Sequence, residues 1–151
     1  MKLQKATRFA LYSVLECARD TARQVSATEI AEKYGVSIHH LSKVLRELGR
    51  AGILEAARGV GGGYRFKGNP RRLTLMDVIV LFEDISSRSG AGREPGSRTE
   101  VGRALGVVLD EIDEIAKATF RSITIDTMLK LIERQNRNGE DRNGGTLRFP
   151  R

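Results

Sequence analysis

The sequence has little of the chemistry on which many sites depend. It holds a single cysteine, Cys17, among 151 residues, which excludes a disulfide within the chain. One cysteine and the adjacent pair His39 and His40 do not have a recognised metal-ligand spacing, so no metal is expected. No apolar run approaches the roughly 18 residues of a membrane helix, and the N-terminus has no signal-peptide pattern. We therefore expect a cytoplasmic protein that does not interact with membranes.

Groups that could perform catalysis are equally scarce. The glycine-rich stretch GVGGGYRFKGN suggests a phosphate cradle, but it has neither the G-x-x-x-x-G-K-[ST] order nor a helix directly after it. The acidic cluster from Asp110 to Glu114 is typical of the solvated face of a helix. We expect no catalytic residues and no enzyme.

The excess of positive charge is confined to one half of the chain. The net charge is +7, and the pI is near 10.0. Residues 1–80 contain 14 Lys and Arg against 7 Asp and Glu, whereas residues 81–151 contain 12 of each kind. Basic surface can simply keep a protein soluble, but this distribution is typical of a nucleic-acid-binding domain joined to a neutral segment.

Residues 37–66 predict a helix, a tight turn and a β-hairpin. Ser37 is a common N-cap residue, and Gly52 is placed to end the helix. Two short β-leaning segments follow, joined by the loop RGVGGG, whose three consecutive glycines allow close approach of another molecule. The helix buries an apolar face with a spacing of three and four: Ile38, Leu41, Val44, Leu45 and Leu48.

A preceding helix completes a helix-turn-helix. Ser26 and Glu29 have the spacing of a capping box, and Gly35 lies in the turn. Residues 3–22 predict a first helix with a basic N-terminal end, on whose apolar side Cys17 is expected to be buried and inert. The fold class is therefore mainly α, with a winged helix-turn-helix domain and a two-stranded wing. In such a domain one helix suits a major groove, and the wing suits neighbouring phosphates or the minor groove.

Thr74 and Asp77 have the spacing of a second capping box, at the start of a helix that is apolar nearly all round and expected to be buried on several sides. We place the DNA-binding domain at residues 1–83 and a flexible loop at residues 84–98, where no periodicity is visible. A disordered tail is expected at residues 136–151.

Residues 99–135 predict a dimerisation region, which is a long helix from about Thr99 followed by a shorter one. An apolar stripe that leads away from a small domain requires a partner surface. A second copy is favoured over the chain's own domain, because two-fold symmetry would present two recognition helices to major grooves about 34–36 Å apart. The stripe consists of Val101, Leu105, Val108, Leu109, Ile112, Ile115 and Ala116.

This pattern resembles the Rrf-two family of bacterial winged-helix transcriptional regulators. The matching stretches are KATRFAL, TEIAEKYGVSIHHLSKVLRELGRAGIL, the wing RGVGGGYRF, LTLMDVI and ITIDTML, which together run from about residue 2 to residue 130. The resemblance implies a homodimeric regulator, expected to be a repressor, that binds a palindromic operator in double-stranded DNA.

The resemblance also implies which residues contact DNA. The recognition-helix positions that face the major groove are Ser37, His39, His40, Ser42 and Lys43. The wing tip is Arg58 with Gly59, Val60, Gly61, Gly62 and Gly63, and Arg58 is the candidate for insertion into the minor groove. Contact with phosphates, or support of such contacts, is expected from Thr7, Arg8, Thr28, Tyr64 and Arg65. Val60 stands where the family usually has proline, so a less rigid wing is expected.

The sensor region departs from the family pattern. Members that sense iron, nitric oxide or redox state through an iron–sulfur cluster carry three cysteines in and just after the loop that here spans residues 84–98. This chain has none there, so an all-cysteine cluster cannot be built and no cofactor is expected. The effector is then an unknown small molecule or a partner protein. The alternative to DNA binding is a winged helix that binds a protein, which loss of all binding to duplex DNA at low salt would favour.

Overall fold

The computed structural model describes residues 2–59, 61–85 and 94–143, which form six helices and one two-stranded antiparallel sheet. The helices are α1 Lys5–Arg19, α2 Ala27–Tyr34, α3 Ile38–Arg50, α4 Leu75–Ile79, α5 Glu100–Ser122 and α6 Ile125–Asn143. The strands are β1 Leu54–Ala57 and β2 Gly63–Phe66. This arrangement confirms the prediction of a mainly α protein with a winged helix-turn-helix.

Two of the predicted helix ends form as expected, and two form only in part. Thr74 and Asp77 make both hydrogen bonds of a capping box, and Thr99 caps α5 by accepting from Gly102 N. Ser26 accepts from Glu29 N at 3.0 Å, but the Glu29 carboxylate pairs with Arg23 instead of returning to the Ser26 backbone. Ser37 occupies the N-cap position of α3 without a side-chain capping bond.

The end of α3 is held by a Schellman motif. Gly52 adopts a left-handed backbone conformation with φ of 74° and donates to Gly49 O at 3.1 Å. Ile53 N donates to Leu48 O, also at 3.1 Å. The motif reverses the chain from the recognition helix into β1, so it sets the direction of the wing relative to α3.

One hydrophobic core joins the helix-turn-helix, the sheet and the C-terminal region. Ile125, the first residue of α6, is fully buried in it. Backbone bonds from Leu75 N to Ile123 O at 2.9 Å and from Ile125 N to Leu73 O at 2.8 Å attach the start of α6 to the start of α4. The core includes Ala10, Val14, Cys17, Ile30, Leu41, Leu45, Leu48, Leu54, Phe66, Val78 and Ile79.

Two helices are shorter than predicted. Helix α1 covers Lys5–Arg19 and not residues 3–22, because Asp20 is extended and its carboxylate accepts from Ala22 N. Helix α4 ends at Ile79, and Val80 and Leu81 after it are exposed. The expectation of a longer helix buried on several sides was therefore wrong beyond Ile79. The chain turns there and brings the Glu83 carboxylate to the start of α1, where it accepts from Gln4 N at 2.7 Å.

Helix α6 continues to Asn143, so the expected disordered tail was wrong for residues 136–143. A helix whose first turns are fixed by packing can extend at little cost per residue, even where its sequence is polar. Residues 144–151 and most of the predicted loop at 84–98 lie outside the described residues. None of the described helices is long and apolar enough to cross a membrane.

The left-handed conformation of Gly52 generates a prediction. Gly52→Ala should lower the free energy of unfolding by about 1 kcal/mol, because a Cβ strains this conformation although the space around it is open. Denaturant unfolding at a fixed protein concentration measures the change. The matched control is Gly49→Ala, three residues earlier inside α3, which should leave stability unchanged or raise it slightly. Equal effects of the two substitutions would contradict this account of the turn.

Candidate nucleic-acid interface

The exposed face of α3 is polar because its other face is fully used by the core. Leu41, Val44, Leu45 and Leu48 are at most 4% exposed. Ser37, His39, His40 and Lys43 are exposed, which the predicted contacts to DNA require. Ser42 is half-buried, and its hydroxyl donates to Ile38 O at 2.7 Å. That hydroxyl can still accept a hydrogen bond from a base amino group, but its own proton is engaged within the helix.

The recognition face carries positive charge that is not neutralised. In the described part of the chain, neither Lys43 nor Arg46 has an acidic side chain within 4.0 Å, whereas Arg50 pairs with Glu47 at 2.8 Å. Arg46 was not among the predicted contact residues. Its spacing of three from Lys43 and seven from His39 places it on the same side of the helix, and this periodicity was available in the sequence.

Ile38 corrects the predicted apolar face of α3. It was expected to be buried, but 48% of its surface is exposed. It is the first residue of the helix, about one turn before Leu41, which is the first residue of α3 to be buried. An apolar side chain at the leading end of a recognition helix can contact the methyl group of thymine.

The wing projects from the domain. Leu54 pairs with Phe66 at the base of the hairpin, and Ala57 pairs with Gly63 near its tip. Arg58 is exposed and, among the described residues, has no acidic partner within 4.0 Å. Gly59, Gly61 and Gly62 are also exposed, so the backbone at the tip is accessible. Val60 lies outside the described residues, and the expected effect of its replacing proline stays a prediction.

The structure requires glycine at the consecutive wing positions for two different reasons. Gly61 has φ of 77°, a conformation that favours glycine. At Gly63, by contrast, a Cβ would lie 2.7 Å from the backbone oxygen of Val25, and at Gly62 it would lie 2.9 Å from Ala57 O. The close approach predicted for this loop is therefore made, at these two positions, with the chain's own backbone.

The segment that approaches Gly63 is the loop between α1 and α2. Val25 and Tyr64 form an isolated antiparallel bridge, with Val25 N to Tyr64 O at 2.9 Å and Tyr64 N to Val25 O at 2.8 Å. Tyr64 therefore supports the wing through its backbone. Sequence periodicity could not indicate this bridge, because a single pair of residues has no period.

The residues predicted to contact phosphates differ in their exposure to solvent. Thr28 at the start of α2 and Arg8 on α1 are exposed, and the Arg8 guanidinium donates to the Tyr12 hydroxyl at 3.3 Å. Thr7 is fully buried, and its hydroxyl donates to the Glu83 carboxylate at 2.6 Å. A direct phosphate contact by Thr7 is therefore ruled out, and only the supporting role remains, which is to hold the N-terminal end of α1.

A polar contact joins α1 to α2. The Glu16 carboxylate accepts from Lys33 Nζ at 2.6 Å and from the Tyr34 hydroxyl. Burial alone would raise the pKa of Glu16, but these hydrogen bonds hold that pKa below its ordinary value. Burial and the bond to Glu16 raise the pKa of Tyr34, so its hydroxyl stays a donor. The rings of Tyr12 and Tyr34 stack at 4.5 Å beside this contact.

The stripe on α5 is uncovered. The helix has no buried residue. Exposed fractions along the stripe range from 47% for Leu109 to 79% for Val101, and Ala116 is half-buried. Five members, Val101, Leu105, Val108, Ile112 and Ile115, follow the alternating spacing of four and three that is typical of a helix–helix seam.

The thiol chemistry of the chain does not fit an iron–sulfur cluster. Cys17 is fully buried beneath the wing, where its Sγ donates to Tyr64 O at 3.8 Å. Burial raises the pKa of this thiol to about 12, so the thiolate that a cluster requires is strongly disfavoured. The described residues also contain no group of three or more His, Cys, Asp and Glu that could hold a metal ion.

The burial of Cys17 generates a prediction. In the native protein at about pH 8, the thiol should resist a disulfide reagent such as dithiobis(nitrobenzoate), because it is protonated and inaccessible. Reaction is followed by absorbance. Addition of urea is the control and should release one reactive thiol per chain. Rapid reaction without denaturant would contradict the buried placement.

Comparison with known proteins identifies the family and the relatives that this chain resembles. Residues 3–131 match the family model Rrf2, described as an iron-dependent transcriptional regulator. BadM of Rhodopseudomonas palustris, named as an HTH-type transcriptional regulator, is 51% identical over 142 residues, which cover 93% of this chain and 88% of BadM. The HTH-type transcriptional regulator NsrR of Bacillus subtilis is 35% identical over 85 residues, which cover 56% of this chain and 58% of NsrR.

Solved structures share the fold. CymR, the global cysteine regulator of B. subtilis, superimposes with a TM-score of 0.70 at 24% identity, covering 87% of this chain and 98% of CymR. IscR of T. potens gives a TM-score of 0.67 at 21% identity, covering 99% of this chain and 94% of IscR. The family match and the similarity to BadM confirm the prediction of a transcriptional regulator and not an enzyme. With a family match across residues 3–131 and a close relative along almost its whole length, the chain belongs to the Rrf2 family of transcriptional regulators.

Proposed function

We propose that the protein is a sequence-specific DNA-binding repressor that acts in the cytoplasm and binds a palindromic operator as a homodimer. The observation that carries the proposal is the unneutralised positive charge on both DNA-binding elements. Lys43 and Arg46 on α3 and Arg58 on the wing have no acidic partner among the described residues, whereas Arg23, Lys33 and Lys117 are paired within the chain.

The proposed roles follow from the chemistry of each side chain. Helix α3 enters the major groove, where His39, His40 and Lys43 can donate to base edges and Ser42 can accept. The wing carries Arg58 to the adjacent minor groove or phosphates, and Arg65, Arg8 and Thr28 contact the phosphate backbone.

The dimer is proposed from α5. A helix with no buried residue and a seam of large apolar side chains is unfavourable in water when alone, and pairing with the same seam of a second copy covers both. Two-fold pairing would then place one recognition helix on each half of a palindrome.

Control of the repressor is proposed to come from a small molecule or a partner protein. The family model carries an iron-dependent description, but the one thiol of this chain is buried and held protonated, so the residues present do not fit an iron–sulfur cluster.

The test of DNA binding is affinity measured in rising salt. The purified protein should bind fragments from its own upstream region more tightly than a random duplex, and log K should fall with log salt by about 0.9 per phosphate contact released. Arg58→Ala should weaken binding to all duplexes and reduce that slope. Lys43→Ala should reduce the preference among base pairs, by about 1–3 kcal/mol if it contacts a base edge.

The matched control for these variants is Arg137→Ala, which removes one exposed charge from α6 and should change neither affinity nor slope. Equal affinity for operator and random duplex would contradict sequence specificity. Absence of any duplex binding at low salt would instead favour the protein-interaction alternative.

The dimer is tested by charge insertion into the stripe. Ile112→Glu should convert the dimer into a monomer in sedimentation measurements, because it buries a carboxylate in the apolar seam. Val107→Glu is the matched control: Val107 is 71% exposed on the same helix but lies about 140° around it from Ile112, so this variant should remain dimeric. A dimeric Ile112→Glu variant would contradict the proposed interface.

A further inference from the structure

Gln24 lies beside the wing, in the loop that precedes Val25. In the orientation that satisfies both of its neighbours, its side-chain nitrogen donates to Gly61 O at 3.1 Å and its oxygen accepts from the Arg65 guanidinium at 3.3 Å. One amide therefore contacts the backbone of the wing tip and the only basic side chain of β2. The residue is exposed, so these bonds contribute little to the core.

The acidic neighbour of Arg65 is engaged elsewhere. Glu55 lies directly opposite Arg65 in the sheet, but the carboxylate of Glu55 pairs with Lys67 at 3.8 Å. Arg65 has no acidic partner within 4.0 Å in the described ranges. The hydrogen bond that its guanidinium makes is to a neutral amide oxygen, which orients the guanidinium without cancelling its charge.

We propose that Gln24 is a positioning residue of the DNA-binding surface, which holds Arg65 in a fixed, fully charged conformation for a phosphate and ties it to the wing tip through Gly61. An arginine held in place before binding loses less conformational freedom when it meets a phosphate. A carboxylate at position 24 would orient the guanidinium equally well but would neutralise it. The neutral amide of Gln24 orients the Arg65 guanidinium and leaves its charge unchanged.

This inference rests on the proposed function, since it assigns Arg65 to a phosphate. It is separate from sequence recognition, because phosphate contacts do not depend on base identity. It can therefore be tested on a mixed-sequence duplex, without knowledge of the operator.

The test is a double-mutant cycle with the full-length protein and that duplex over a range of salt. Gln24→Met keeps the length of the side chain and removes both hydrogen bonds, and it should weaken binding about 2-fold to 10-fold. In an Arg65→Ala background the same substitution should have a clearly smaller effect, because the residue it positions is absent and only the bond to Gly61 O is lost. Gln24→Glu should pair with Arg65 and reduce the salt slope by up to about 0.9.

Gln135→Met on α6 is the matched control and should leave both affinity and slope unchanged, since Gln135 is exposed far along the chain from the wing. An equal loss from Gln24→Met with and without Arg65 would show that Gln24 does not act through Arg65, and an unchanged affinity would show that it has no role in binding. Either result overturns the inference but leaves DNA binding intact. Failure of the unsubstituted protein to bind any duplex at low salt overturns the proposed function and the inference with it.

Discussion

The backbone pairing of Val25 with Tyr64 is the interaction on which the DNA-binding surface depends. The wing is otherwise a two-stranded hairpin, and an isolated hairpin is marginally stable in water. Two hydrogen bonds from the loop between α1 and α2 add a short third segment to it. Because this segment leads into α2, the wing is fixed to the helix-turn-helix, and both elements can approach a duplex together.

That pairing also explains residues that would otherwise be assigned to DNA alone. Gly63 has no side chain because the carbonyl of Val25 occupies the space, and Cys17 lies directly beneath the bridge with its thiol directed to Tyr64 O. A buried thiol in this position contributes packing to the base of the wing. With its one thiol buried and protonated, the chain does not present the thiolate ligands that an iron–sulfur cluster requires.

The charges divide into two groups with different roles. Cations that have acidic partners, such as Lys33 with Glu16 and Arg50 with Glu47, secure helices to each other or to themselves. Lys43 and Arg46 on α3 and Arg58 on the wing have no acidic partner in the described part of the chain, and they belong to the surface proposed to meet DNA. The neutral C-terminal half contributes an uncovered apolar helix instead, so electrostatic and hydrophobic contacts are assigned to different parts of the molecule.

Local signals in the sequence determined the parts that depend on neighbouring residues. Gly52 ends α3, Thr74 and Thr99 cap their helices, and the three-four spacing of the leucines in α3 sets its buried face, because these effects act within one or two turns. Only the tertiary structure decided which polar and glycine residues contact other parts of the same chain and are therefore not free to contact DNA. The hydrogen bond from Thr7 to Glu83, the close approach of Val25 to Gly63 and the burial of Ile125 depend on segments that are distant in sequence. The exposure of Ile38 occurs at the edge of a helix. Periodicity carries no information about such contacts, since they are set by how the elements pack against one another.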